Sequence, residues 1–246
     1  MTRKTTGVPS SHPAFYARTG SLKSDLIALL HPPYTAWHLS YVVYGAALAP
    51  VLDWLALAGS LAAFFFGTGF AAHAFDEWRG RPLGTRLSDR ALLMIAGIGV
   101  VGGLGVALLG VLVLSPWVLA WAVVGIVLMM GYTLEWHPAL HSDAGFALAW
   151  GGFPVLVGFW AQTGRVDGPV LLVALAAILL SLAQRALSTP ARYIRRKTAG
   201  VTVHLDASPR VADWGSKELL DTWERPLKLL TVAVVTLAIG LVAMRI

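Results

Sequence analysis

The chain contains no cysteine, which excludes disulfides, thiolate metal sites and cysteine nucleophiles. Charge is scarce too. Only 13% of the 246 residues are Asp, Glu, Lys or Arg, roughly half the fraction found in a soluble domain. No Gly-x-x-x-x-Gly-Lys-Ser/Thr loop and no His-Glu-x-x-His pair occurs, so nucleotide binding through a P-loop and zincin chemistry are set aside. Gly102-Gly-Leu-Gly105 sits inside an apolar run with no strand before it, and close helix packing accounts for it better than a dinucleotide loop. Neither an internal repeat nor a low-complexity block interrupts the chain.

What is present is apolar. Hydrophobic residues make up 57% of the chain and the mean hydropathy is +0.68. Seven apolar segments, at 34–52, 54–75, 91–114, 117–132, 145–163, 169–187 and 226–244, approach the roughly 20 residues that an α-helix needs to cross a bilayer. The expected fold is therefore all-α, a polytopic membrane helix bundle of about seven transmembrane helices. Ten Trp and six Tyr suit aromatic belts at two interfaces. The formal charge of +6 reads as attraction to anionic lipid headgroups and not to nucleic acid.

Domain organisation is simple. Residues 1–30 form a polar arm ending in a surface helix near 22–30, and 31–246 form one membrane domain with a loop at 188–225. The first apolar segment begins about thirty residues in and lacks a small-residue exit site, unlike a cleavable signal peptide. Seventeen of the nineteen Lys and Arg residues fall in the arm, after the second segment, or between Arg185 and Lys228, leaving Arg165 and Arg245 opposite. By the positive-inside rule, the N-terminus is cytoplasmic in a cell inner or plasma membrane.

Three polar clusters lie on that cytoplasmic side. In the first, His73, Asp76 and Glu77 share a helical face by their i, i+3, i+4 spacing, with Arg79 and Arg81 following. Two carboxylates and an imidazole suit a divalent cation, and carboxylates bridging to phosphate suit Mg²⁺. A solvated helix end, with Asp76 and Glu77 paired to the arginines, is the plainer alternative. The second cluster is Glu135, His137, His141 and Asp143. Pro138 breaks the helix that a His-x₃-His metal pair would need, so an interfacial loop is the simpler account. The third, Arg185, Arg192, Arg195, Arg196 and Lys197, either anchors the loop to anionic lipid or binds a phosphate. Within the loop, 202–205 alternates like a short strand. Ser216 and Glu218 open an interfacial helix carrying Leu219, Leu220 and Trp223. His38, in the first span, reads as a hydrogen-bonded packing residue.

Several stretches carry a resemblance to a known family. His31-Pro-Pro with Tyr44-Gly-Ala-Ala-Leu-Ala, the run His73-Ala-Phe-Asp-Glu into Arg81-Pro-Leu-Gly-Thr-Arg-Leu-Ser88, and Gly145 through Gln162-Thr-Gly164 resemble motifs of the UbiA-type prenyltransferase superfamily. These membrane enzymes move a prenyl chain from its diphosphate to an aromatic or other lipophilic acceptor. The resemblance implies that His73, Asp76 and Glu77 hold one Mg²⁺ against the diphosphate, with Asp76 and Glu77 catalytic. It further implies that Arg79, Arg81, Glu135, His137, Arg192, Arg196 and Lys197 bind substrate. Tyr41, Tyr44, Trp150 and Trp160 would shield an allylic cation, and Glu135 or His137 would deprotonate the acceptor. Two departures stand out. Arg192 and Arg196 fall where the family's second acidic motif would be, and the family usually has nine spans against seven here. A missing pair of helices would have to come from a partner subunit or a homo-oligomer. Alternative readings are a non-catalytic isoprenoid- or quinone-binding or accessory protein of the same fold, and a metalloenzyme using His73, Glu77, His137 and His141.

Overall fold

The computed structural model describes residues 12–17, 20–204 and 214–246. A short surface helix α1 (Leu22–Leu29) leads into α2 (Pro32–Ala47). Next come α3 (Trp54–Gly80), α4 (Asp89–Val113), α5 (Val118–Thr133), α6 (Asp143–Thr163), α7 (Gly168–Lys197) and α8 (Ser216–Ala243). Of these, α3, α4, α6, α7 and α8 are long and apolar enough to cross a membrane, and α5 is a shorter apolar helix. The described residues are otherwise helical or irregular apart from a two-residue ribbon, β1 (Thr202–Val203) antiparallel to β2 (Trp214–Gly215).

Polar caps set where the helices begin. Asp53 accepts from the amides of Leu55 and Ala56, Ser88 from Ala91, Ser142 from Gly145, and Asp167 from Val170. Each supplies an oxygen to first-turn amides that have no intrahelical partner. The helices then pack backbone to backbone at glycines. A Cβ on Gly158 would fall inside the van der Waals shell of the Val42 carbonyl, and one on Gly45 inside that of Val155, so α2 and α6 touch through their main chains. Gly151 meets Ala177 and Ser181 of α7 in the same way. The central core joins Trp37, Tyr41 and Tyr44 of α2 to Val155 and Phe159 of α6, Ala177 of α7 and Leu227 of α8.

The two ends of the bundle differ. One end collects the ion pairs Arg79–Glu135, Arg185–Asp143 and Arg195–Glu224. At the other, the Asp53 amide donates to Gln162 at 2.6 Å and Arg245 donates to the Ala47 carbonyl.

Helix limits differ from expectation where charge outlasts the apolar run. The stretch 188–225 is not a loop throughout. α7 continues through Pro190 to Lys197, and α8 starts at Ser216 and passes through Pro226. Hydropathy falls at those positions, but the helical hydrogen bonding does not. The surface helix at 22–30 and the strand at 202–203 occur as expected, while residue 205 lies outside the described residues, as do Arg3, Lys4, Arg18 and Arg210. Two stretches inside the helices are π-helical, Phe65–Ala72 in α3 and Leu148–Gly152 in α6. A π turn inserts an extra residue and rotates the remainder of the helix, and such turns recur at functional sites.

Candidate functional site

Side chains of the arm, α2, α3 and α7 converge at the charged end into a polar cluster, hereafter the chamber. Beyond the π-helical stretch of α3 come His73 and Asp76. The His73 ring stacks on His31 with centroids 4.2 Å apart. His31 is the N-cap of α2 and adopts a left-handed conformation (φ 45°), a strained backbone for a non-glycine residue. The prolines at 32 and 33 hold the following turn in helical geometry. Arm residue Tyr16 places its hydroxyl 2.5 Å from His31 Nδ1 and its ring edge-on to Tyr34 at 5.4 Å.

Arg192 and Arg196, one helical turn apart on α7, face this group. Their charges act on Asp76, Tyr16, Tyr34 and His31. Among the described residues the half-buried arginines are Arg81, Arg185, Arg192, Arg195 and Arg196. Arg81, Arg185 and Arg195 have carboxylate partners within ion-pair distance, and Arg192 and Arg196 have none among those residues. Arg196 Nε donates to the Pro13 carbonyl at 3.1 Å, and Arg192 Nη2 to Thr189 Oγ1 at 3.3 Å. Each guanidinium therefore has further donors in hand. Asp76 accepts no hydrogen bond from any described residue.

Burial controls protonation at the rim. It drives the His31 pKa well below the ordinary imidazole value, helped by the charges of His73, Arg196 and Arg192. It also pushes the Tyr16 hydroxyl well above the usual phenol range, reinforced by Tyr34 and opposed by Arg196 and Arg192. A neutral imidazole bonded to a neutral phenol thus stands beside two cations.

The residues expected from sequence divide into three groups. His73, Asp76, Arg192 and Arg196 meet in the chamber. Glu77 and Arg81 serve the loop that follows α3. Fully buried, Glu77 accepts from the Leu83 amide at 2.8 Å, the Thr85 amide at 2.8 Å and Thr85 Oγ1 at 2.9 Å. Arg81, at φ 49°, donates to the Leu87 carbonyl and pairs with Asp89. The remaining four are exposed. Arg79 pairs with Glu135 at 3.3 Å, His137 Nδ1 accepts from the Ala139 amide, and Lys197 points outward.

The three-ligand set expected of His73, Asp76 and Glu77 is not assembled. Glu77 faces away into the loop, so the shared face expected of His73, Asp76 and Glu77 leaves one free carboxylate. Among the described residues no three His, Asp or Glu side chains group as metal ligands. That also separates His73 and Glu77 from His137 and His141. The reason is local: Glu77 is followed by a turn whose amides sit within reach, and they claim both of its oxygens.

Other residues of the site were missed. Tyr16 and Tyr34 come from the arm and the start of α2, where no spacing motif marks them, and His31 enters the sequence reading only as part of His31-Pro-Pro. Asp25 of α1, fully buried, accepts from the Arg86 amide at 2.9 Å and ties the arm to the Arg81–Ser88 loop.

An apolar cleft of about 430 Å³ opens between α3, α4, α5 and α6. Its lining runs from Leu55 to Thr68 along α3, roughly 20 Å at 1.5 Å per residue, and includes Met129, Ala149 and Trp150. Those three residues also cluster with Ala71 and Ala72, immediately before His73. The cleft is thus remote from the arginines along most of its length, and its Trp150 end packs on the residues immediately before His73. No family model, no curated protein and no solved structure matches this chain.

Proposed function

We propose that this protein is an integral membrane prenyltransferase-like protein. It would bind a prenyl diphosphate and direct its prenyl chain to a lipophilic acceptor. The observation that carries the reading is the pair of half-buried arginines, Arg192 and Arg196, facing the chamber without carboxylate partners among the described residues. Two cations near a membrane interface need an anion, and guanidinium forks match phosphate oxygens bidentately.

The layout suits a bipartite lipid. The diphosphate would sit under Arg192 and Arg196, with Tyr16 and Tyr34 offering hydroxyls. The apolar cleft would hold the chain, and Trp150 stands where the two meet. Transfer would break the bond between the prenyl carbon and the diphosphate oxygen and form one from that carbon to the acceptor, whose displaced proton would leave with the pyrophosphate. Fixed, half-buried cations would stabilise the charge that grows on the departing diphosphate. Asp76 would orient the cations across the chamber. It would also meet any Mg²⁺ that arrives with the substrate, since that ion commonly binds through one or two carboxylates plus phosphates.

The same reading places seven helices across the bilayer, α2 to α8, with the charged end in the cytoplasm. The diphosphate would then enter from the cytoplasm and the chain from the lipid. Purified protein incubated with radiolabelled geranylgeranyl diphosphate, Mg²⁺ and a lipid extract should release pyrophosphate. Release should fall at least 100-fold in Arg192→Ala/Arg196→Ala, an order of magnitude expected when charge-assisted phosphate contacts are lost. Tight binding without release would make this a non-catalytic isoprenoid-binding protein, and no binding at all would end the proposal.

A further inference from the structure

At the end of the bundle opposite the chamber lies a second recess, of about 430 Å³. Its wall includes Trp117 just before α5, Trp121 and Val124 of α5, Trp160 of α6, and Arg165 in the turn that follows. The Trp121 and Trp160 rings are 5.7 Å apart, centroid to centroid, and both also line the apolar cleft. At this end, where Asp53 before α3 meets Gln162 of α6, the cleft is lined by Leu55, Gly59, Leu114 and Val118. Recess and cleft therefore share two indole rings.

The chain fixes Arg165 by its backbone and leaves its side chain open. Gly164 ends α6 in the left-handed conformation (φ 69°), which glycine adopts without strain. Thr163 Oγ1 accepts from the Arg165 amide at 3.3 Å and donates to the Arg165 carbonyl at 3.2 Å. The Arg165 guanidinium makes no hydrogen bond to a described residue. Asp167 lies 3.8 Å from its Nε, beyond hydrogen-bond length, and the other Asp167 oxygen caps α7 through the Val170 amide. Arg245, the second cation at this end, is by contrast engaged, donating to the Ala47 and Pro50 carbonyls. No described residue accepts from the indole N–H of Trp117, Trp121 or Trp160.

Open donors thus stand beside an apolar cavity. Donors need a ligand that brings acceptors, and a guanidinium fork matches phosphate best. An apolar cavity does not hold water stably, so the same ligand should bring hydrocarbon. Arg165 and Asp167 also present opposite charges side by side. That pair suits a headgroup carrying both a phosphate and an ammonium.

We infer that the recess is a binding site for one zwitterionic glycerophospholipid of the surrounding bilayer. Its phosphate sits on Arg165, its ammonium lies beside Asp167, and one acyl chain passes Trp121 and Trp160 into the cleft. Interfacial tryptophans meet headgroups in many membrane proteins. Here the cavity behind them turns that contact into a seat for one molecule. The inference rests on neither the arginine pair nor diphosphate binding. If both hold, acyl and prenyl chains enter one cleft from opposite ends.

The test is native mass spectrometry of the full chain, stripped of co-purified lipid and titrated with dioleoyl phosphatidylethanolamine or dioleoylglycerol. The second probe has the same chains and no phosphate. One phosphatidylethanolamine per chain should bind about 10-fold more tightly than dioleoylglycerol, the order expected of a charge-assisted phosphate contact. Arg165→Gln should bring the two lipids level. The Arg165 side chain is 66% exposed, so this variant should fold as the wild type does. Gly59→Leu fills the cleft from a position where a Cβ meets nothing within 4 Å. It should weaken phosphatidylethanolamine binding about 10-fold by excluding the acyl chain. Equal binding of the two lipids to the wild type overturns the inference. So does an Arg165→Gln protein that still prefers the phospholipid, or a Gly59→Leu protein of wild-type affinity.

Discussion

At the residue scale, two adjacent carboxylates have opposite assignments. Glu77 is fully buried and accepts three hydrogen bonds from the Leu83–Thr85 turn, while Asp76 accepts none from described residues and faces Arg192 and Arg196. Removing Glu77 leaves its buried donors unpaired, at about 1–3 kcal/mol each in the usual range. Glu77→Ala should therefore lower the unfolding temperature and increase amide exchange over 81–88, whereas Asp76→Ala should leave both near wild type and weaken substrate handling. Equal destabilisation by the two substitutions would contradict this division. His31 makes a pH prediction. Its folded pKa lies below its unfolded value, so protons favour the unfolded chain. The stability it contributes is fully present above the unfolded value of about 6.5 and declines as pH falls below it. His31→Asn should flatten that decline in thermal unfolding between about pH 7 and pH 5. Sequence spacing revealed the special character of 73–88 but not this split. Periodicity says which residues share a helical face, while the choice between Asp76 and Glu77 depends on amides in a turn further along.

At the element scale, α7 changes character along its length. Its first half is a membrane helix, and its face through Ser181, Gln184 and Ser188 turns polar and buried before ending in Arg192 and Arg196. Apolar-run counting ended that helix near residue 187 because it weighs composition, whereas helical hydrogen bonding continues through charged residues. Pro190 and Pro226 further disguised α7 and α8, since an isolated proline argues for a break. The two helices are locked where the buried Arg195 guanidinium meets Glu224 at 2.5 and 2.8 Å. Losing one partner of a buried ion pair typically costs about 3–5 kcal/mol. Glu224→Ala should accordingly be among the most destabilising single changes, as read by denaturation in mild detergent. Gly158→Ala is the matching test of the α2–α6 contact. Its Cβ has no room against the Val42 carbonyl, and a shift of backbone is needed, in the range of about 1–3 kcal/mol for overpacking. A stability equal to wild type would mean that the helices are not in main-chain contact there.

At the scale of the whole molecule, an all-α membrane bundle was legible from hydropathy, because bilayer thickness imposes a length on apolar runs; of the seven spans expected, five correspond to helices long and apolar enough to cross a membrane. The chamber was less legible. It draws on the arm, two helix ends and the start of α2, and only tertiary packing brings Tyr16 to His31 or Arg196 to Pro13. The central claim is that Arg192 and Arg196 hold a diphosphate. Its most direct test is equilibrium binding of radiolabelled geranylgeranyl diphosphate to the wild type and to Arg192→Ala/Arg196→Ala, in nanodiscs free of anionic lipid. Saturable binding that weakens at least 100-fold in the double variant, with inorganic pyrophosphate competing, is the predicted result. Binding of equal strength in both proteins, or none in the wild type, would contradict it.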